Sequence, residues 1–368
     1  MTLQLRSLEQ FKRLHDLQSS TVLVEEEHEF FGSLQSIRDR IVSSNDQWTL
    51  ISHCEDQVNG FKHLDQIPVL NQLAQDYKDR VTVFVISVNK LDLCDDIHHY
   101  FFPEYHAIYW PLYQDQTLSN SHSINKYFLS LNKRGDPWRQ ILYKKFWKDN
   151  LLDSSHFSYL CEDEAYGTLF HEPTWELNRK WADEDFIPKF MPELQGPWPN
   201  KFRELDHDVL LEKYKSHQSG QFDLENDPTW SADQHLYDTS FCSVILETDV
   251  GNELPNISEK TIRSLALAHP TLLLGAQHTL QYLRDLGFDT FDDVFDNSYD
   301  QEQESYNRLC KFLNSVDMIK KYSIDELQNI KKSLYPRGMK NRAQLESLNN
   351  KMHTKADDIV LDIIQHIN

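Results

Sequence analysis

Positive charge is in short supply: 37 Lys and Arg against 58 Asp and Glu leave a formal charge of −21 over 368 residues. Such a field repels phosphate backbones at long range, so a nucleic-acid partner needs a local basic groove to override it. Its ordinary consequence is solubility. Glycine is scarce as well, at 10 residues, which argues against collagen-like and glycine-rich linker architectures. The five cysteines, Cys54, Cys94, Cys161, Cys242 and Cys310, are odd in number, scattered and without a C-x-x-C pair. They read as reduced thiols, not as a disulfide framework or a zinc site. No apolar run approaches the length that spans a bilayer. The opening MTLQLRSLEQFKRLHDL has a helical rhythm and lacks the apolar core of a signal peptide, so the expected location is cytoplasmic. The motifs G-x-G-x-x-G, G-x-x-x-x-G-K-S/T and G-x-S-x-G do not occur. Their absence counts against dinucleotide redox chemistry, P-loop phosphoryl transfer and serine hydrolysis.

What is present suits a folded, two-domain α/β protein. Hydrophobic residues at 39% and aromatics at 12% suffice for compact cores. Residues 1 to about 45 read as helical. WTLISHC (Trp48 to Cys54) then reads as a buried strand running into the polar loop EDQVNG. A helix carrying Leu70, Leu73 and Tyr77 follows, and RVTVFVISVN (Arg80 to Asn89) suits a parallel strand covered on both faces. YHAIYWPLY (Tyr105 to Tyr113) is a third candidate strand. After the polar stretch DQTLSNSHS the pattern restarts with a strand, INKYFLSLN, a turn, KRGDP, and a helix from Pro137 to Asn150. Residues 170 to 240 are polar and irregular and hold Trp175, Trp181, Trp198 and Trp230. These indoles either anchor the segment or form a surface on which sugar rings stack. SFCSVILETD and TLLLGA are strands separated by the helix SEKTIRSLALAH. A helix QHTLQYLRDLG follows, and helices with a break near Pro336-Arg337-Gly338 close the chain.

The chemistry concentrates between Phe241 and Gly275. A strand ends at Glu247, Ser258 occupies an N-cap position, and Glu259 and Lys260 open the helix. A βαβ unit of this kind presents a helix N-terminus at the carboxyl edge of a parallel sheet, where free N–H groups attract anions. A nucleotide-sugar needs a cation for its diphosphate and a carboxylate for its ribose hydroxyls, and Lys260 and Glu259 supply both. Ordinary capping explains Ser258 and Glu259 equally well.

The segment PNISEKTIRSLALAHPTLLLGAQHTLQYLRDLGF resembles the EK-containing donor motif of GT-B glycosyltransferases related to the α1,3-fucosyltransferase and exostosin-like group. It is similar above all to glycosyltransferase-like proteins of phages and marine bacteria. KYFLSLNKRGDPWRQILYKKFWKDNLL resembles the strand, turn and helix that open that family's carboxy-terminal domain. The resemblance implies a GT-B fold, two Rossmann-like domains facing across a cleft, with C-terminal helices. The corresponding domains are 1–121 for the acceptor, 122–303 for the donor with an irregular insertion at 170–240, and 304–368 for the helices. It further implies that Arg139 and Lys260 contact the donor diphosphate and that Glu259 binds the ribose. Asn132, Lys133 and Arg134 share one turn and add phosphate contacts, and Glu247 lines the crevice. Asn256 stands where the fucosyltransferases carry an aromatic residue, so neither fucose nor a guanine base carries over.

The implied activity moves a sugar from a nucleotide-sugar, the donor substrate, to a glycan or other hydroxyl acceptor, with no cofactor and no metal. Cations would stabilise the departing diphosphate. A base after the first strand would deprotonate the acceptor, with His53, Glu55 and Asp56 as candidates. The D-x-D pairs Asp183/Asp185 and Asp206/Asp208 follow no clear strand, and His98, His99 and His106 lack metal-ligand spacing and read as structural or surface residues. Two alternatives stay open. One is a phage enzyme that glycosylates modified bases in DNA, drawing on a basic cleft of Lys133, Arg134, Lys144 and Lys145. The other is a non-catalytic sugar-binding or scaffold protein with a GT-B shell.

Overall fold

The apolar run at 81–87 is one strand of a parallel sheet, buried on both faces in a computed structural model of the chain. The structure describes residues 13–19, 22–53, 66–87, 91–102, 110, 113–114, 116, 118, 123–132, 137–159, 180–198, 234–247, 250–251 and 254–367. The chain forms two compact units. Unit 1 is Met1–Pro111 together with Glu346–Asn368, and unit 2 is Leu112–Leu345.

Unit 1 holds strands β1 (Val22–Glu26), β2 (Trp48–His53), β3 (Val81–Ser87) and β4 (Ile97–Phe101), all parallel and in chain order. Helices α1 (Glu27–Ser43) and α2 (Ile67–Asp76) connect the first three. Phe30, Leu34, Ile37 and Ile41 recur at helical spacing and are buried, the stripe of a helix lying on a sheet. The N-terminal region is therefore not helical throughout. Its VLVE run pairs with β2 from Val22 to Glu26. The strand paired with β3 is IHHYF, not YHAIYWPLY, whose residues 105–109 lie outside the described residues. His98 in it stacks on Phe84 at 4.8 Å.

Right-handed crossovers in a 1-2-3-4 order fall on one face of a sheet, which leaves the other face in need of cover. Val24, Ile51 and Phe84 are register partners on that second face. They pack with Met352, Ala356, Ile359, Val360 and Ile363 from the last helix. This is why residues 346–368 belong to unit 1, against the expectation of 304–368 as a separate set of helices and a first boundary at 121/122.

Unit 2 contains β5 (Lys126–Asn132), α3 (Pro137–Lys148) and β6 (His156–Tyr159). A π turn (Ala182–Phe186) leads into the short α4 (Ile187–Phe190). Then come α5 (Gln234–Thr239), β7 (Ser240–Leu246), α6 (Glu259–Ala266), β8 (Thr271–Leu274), α7 (Thr279–Asp285) and α8 (Ser305–Ile319). Its four strands are parallel in the order β6-β5-β7-β8, so the direction of winding reverses between β5 and β7.

The final helix, α9 (Ile324–Ile367), runs unbroken through Pro336. The Pro-Arg-Gly signal is a place of close approach, not a break. A side chain on Gly338 would collide with the carbonyl of Ala268. Ala268 itself closes α6 in the left-handed region, at φ 54°, a conformation that costs an L-residue roughly 1–2 kcal/mol. Among the described residues no helix is long and apolar enough to cross a membrane.

Candidate functional site

Parallel sheets bind ligands outside the carboxyl ends of their strands, at the point where winding reverses, because neighbouring crossovers leave on opposite faces there. In unit 2 that point lies between the ends of β5 and β7. Of the residues singled out from the sequence on these two connections, Arg139, Glu247, Ser258, Glu259 and Lys260 lie near it.

Glu247 is the first residue beyond β7 and is buried. Its Oε1 accepts hydrogen bonds from the Ser258 amide at 3.1 Å and the Thr261 hydroxyl at 2.5 Å. The carboxylate therefore ties the strand end to the start of α6. Its Oε2 is buried without a hydrogen-bond partner among the described residues. Burial pushes the Glu247 carboxyl above the ordinary carboxylate range, although Lys260, Ser258 and Thr261 pull the other way.

Ser258 is the N-cap of α6, with extended backbone and a side chain that accepts from the Lys260 amide at 3.3 Å. The ammonium of Lys260 meets Glu259 Oε1 at 2.6 Å. Burial alone would raise the Glu259 carboxyl, but Lys260 and Arg263 overcome it and hold the group below its usual range. Arg263, on the next turn, is buried yet kept charged by Tyr237, Tyr113 and Glu259. Lys260, Arg263, Tyr237, Ser243 and Ser264 join Leu129, Leu131, Ile245 and Leu246 around a small open recess. Two cationic side chains and no carboxylate appear among these lining residues, in a protein of net charge −21. That chemistry suits an anionic group.

Arg139 reaches the same edge from α3. It is buried, and its Nη2 donates to the carbonyl of Leu246 at 3.0 Å. Asn132 ends β5 but is committed elsewhere. Its amide donates to Ser130 Oγ at 2.9 Å and to the Ser158 carbonyl at 3.3 Å. It seals the β5–β6 seam and does not offer itself to phosphate. Lys133 and Arg134 lie outside the described residues, as do Glu55 and Asp56; His53 ends β2, with its side chain outside the description.

Of the expected basic cleft of Lys133, Arg134, Lys144 and Lys145, the first two lie outside the described residues, and the two lysines of α3 are engaged by acidic partners. Lys144 bonds Asp183 at 2.9 Å and the Gly196 carbonyl at 3.2 Å, with its ammonium 4.2 Å from the Trp198 ring centroid. Lys145 bonds Asp149 at 2.5 Å and Asp317 at 2.8 Å. Asp183, half of one D-x-D pair, also accepts from the Trp198 indole at 2.8 Å. These charges fasten residues 180–198 and α8 to α3.

Three further residues shape this edge: Arg263, Thr261 and Arg308. Arg263 lies four places after Glu259 on one helix face, a spacing that pairs opposite charges and was the available signal. Thr261 and Arg308 gave none. The Arg308 guanidinium donates to the carbonyls of Gly275 (3.1 Å), Val250 (2.5 Å), Glu302 (2.5 Å) and Gln303 (3.1 Å). It thereby braces the loops after β7 and β8. The N-terminus of α7, by contrast, is closed by an internal carboxylate: Asp300 accepts from the Leu280 and Gln281 amides at 2.8 and 3.0 Å. Against family models, curated proteins and solved structures, the chain has no match.

Proposed function

We propose that the chain is a nucleotide-sugar-dependent glycosyltransferase of the GT-B type, with the donor held by unit 2. The observation that carries this reading is the placement of Arg139, Glu247, Ser258, Glu259 and Lys260 at the winding reversal, beside a cationic recess. Lys260 and Arg263 would neutralise the diphosphate as charge develops on it, in a site that burial makes electrostatically strong. Donor binding exchanges partners. The diphosphate takes Lys260, and Glu259, released from its ion pair, becomes an acceptor for ribose hydroxyls.

The test is a thermal-shift screen against UDP-, GDP-, CMP- and dTDP-sugars, followed by a donor-hydrolysis assay. A ligand at about a hundred times its Kd stabilises the native state by about 2.7 kcal/mol. At least one donor class should raise the melting temperature of the wild type and lose that effect in Lys260→Ala. If no nucleotide-sugar shifts or is hydrolysed, the transferase reading fails and the non-catalytic alternative takes its place.

A further inference from the structure

Not every aromatic side chain of unit 2 is core. Trp138 lies in the first turn of α3 beside Arg139, Trp181 directly precedes the π turn, and Tyr306 lies in the first turn of α8. Three distant stretches of chain thus bring their rings together. The centroids are 5.8 Å apart for Trp138–Trp181, 5.7 Å for Trp138–Tyr306 and 5.8 Å for Trp181–Tyr306. All three remain only partly buried, whereas Phe186, in contact with Trp181 and Tyr306, is buried and supports them.

The π turn has a geometric consequence. Positions five apart on an α-helix face sides roughly 140° apart. The i→i+5 turn instead carries Trp181 and Phe186 to one side, with ring centroids 5.4 Å apart. Such turns are rare and recur at functional sites. Gly251, in the connection after β7, faces the cluster: a side chain there would touch the Trp138 ring at 4.0 Å. The rings therefore abut the connection that leaves the winding reversal.

We propose that Trp138, Trp181 and Tyr306 form a platform for the apolar face of a neutral sugar ring. The ring planes stand 74°, 41° and 42° apart, so the platform is an angled aromatic wall, and an aromatic face with a polar edge suits a ligand that is apolar on one side and hydroxylated at its rim. Charge selects among such ligands. The exposed carboxylates of the flanking segments, Glu184, Asp185 and Glu304, outnumber the exposed ammonium groups of Lys180 and Lys189. Carboxylates accept hydrogen bonds from sugar hydroxyls and repel phosphate, which disfavours a nucleotide here. Calling this saccharide the acceptor rests on the transferase reading; the binding itself does not.

Isothermal titration of maltohexaose, cellohexaose and N-acetylchitohexaose into the full chain tests the platform. The comparison is wild type against Trp138→Ala, Trp181→Ala and Trp181→Leu, with folding checked by circular dichroism. The leucine variant keeps apolar bulk while removing the ring, so it reports on binding even where an alanine variant unfolds. At least one glycan should bind the wild type, with about a tenfold loss of affinity in the folded tryptophan variants. The proposal is overturned if none of the three binds, or if binding is unchanged in the folded variants. Glycan binding without any nucleotide-sugar binding keeps the platform and removes the transferase; the reverse result removes the platform alone.

Discussion

The two parallel sheets share strand number and direction, yet only one has the makings of a site. In unit 1 the strands follow chain order, and the face left bare is covered by the end of α9. In unit 2 the order reverses between β5 and β7. Buried charge follows the same division. Every Asp, Glu, Lys or Arg that is buried among the described residues lies in unit 2, including Arg139, Glu247, Glu259, Arg263 and Arg308. Burying a charge costs free energy unless it is paired or hydrogen-bonded. A fold concentrates such groups where loops must be braced or a charged ligand met. Four parallel strands alone do not gather buried charge; among the described residues it collects in the unit whose winding reverses.

Removing a buried charge from unit 2 should therefore cost far more than removing a polar tie from unit 1. Arg308→Met leaves the carbonyls of Gly275, Val250, Glu302 and Gln303 without their donor. The expected loss is about 3 kcal/mol or more in urea unfolding. A loss under about 1 kcal/mol would erase the contrast. In unit 1 the Tyr100 hydroxyl donates to Asp362 and joins β4 to α9. Tyr100→Phe should cost only about 1 kcal/mol by the same measurement, because this bond is partly solvated.

The smallest effect is one of pH. The folded-state Glu247 carboxyl is raised above its unfolded value, so folding favours the protonated form. Its favourable contribution is full below the unfolded value and is lost as pH rises through the folded one. Glu247→Gln mimics the protonated group. Wild type should accordingly lose stability relative to this variant as pH climbs from the ordinary carboxylate range, seen in urea melts at successive pH values. A pH-independent difference would mean that Glu247 is not held up by burial.

How much of this was legible in the sequence depended on whether a local pattern carried the signal. β7 and α6 were readable because SFCSVIL is apolar nearly throughout and Ser258 caps the helix as its position implies. β1 escaped because its five residues end in two glutamates and run straight into a helix, and β4 because IHHYF mixes histidines with apolar residues. Pro336 predicted a break, and the close packing of Gly338 on Ala268 that explains the motif is a long-range contact. The site followed the same rule. Ser258, Glu259 and Lys260 lie on one short segment, whereas the brace by Arg308 and the meeting of Trp138, Trp181 and Tyr306 join segments far apart in sequence. The sequence pointed to Asn132 as a phosphate ligand; only packing reveals that its amide is spent on Ser130 and Ser158.

The central claim is that the edge of β7 in unit 2 holds a nucleotide diphosphate through Lys260. Isothermal titration of the donor selected by the thermal screen, into wild type and Lys260→Ala of matched melting temperature, tests it most directly. The account predicts saturable binding that weakens at least about tenfold in the variant, equivalent to about 1.4 kcal/mol. Equal affinity for the two proteins would contradict it.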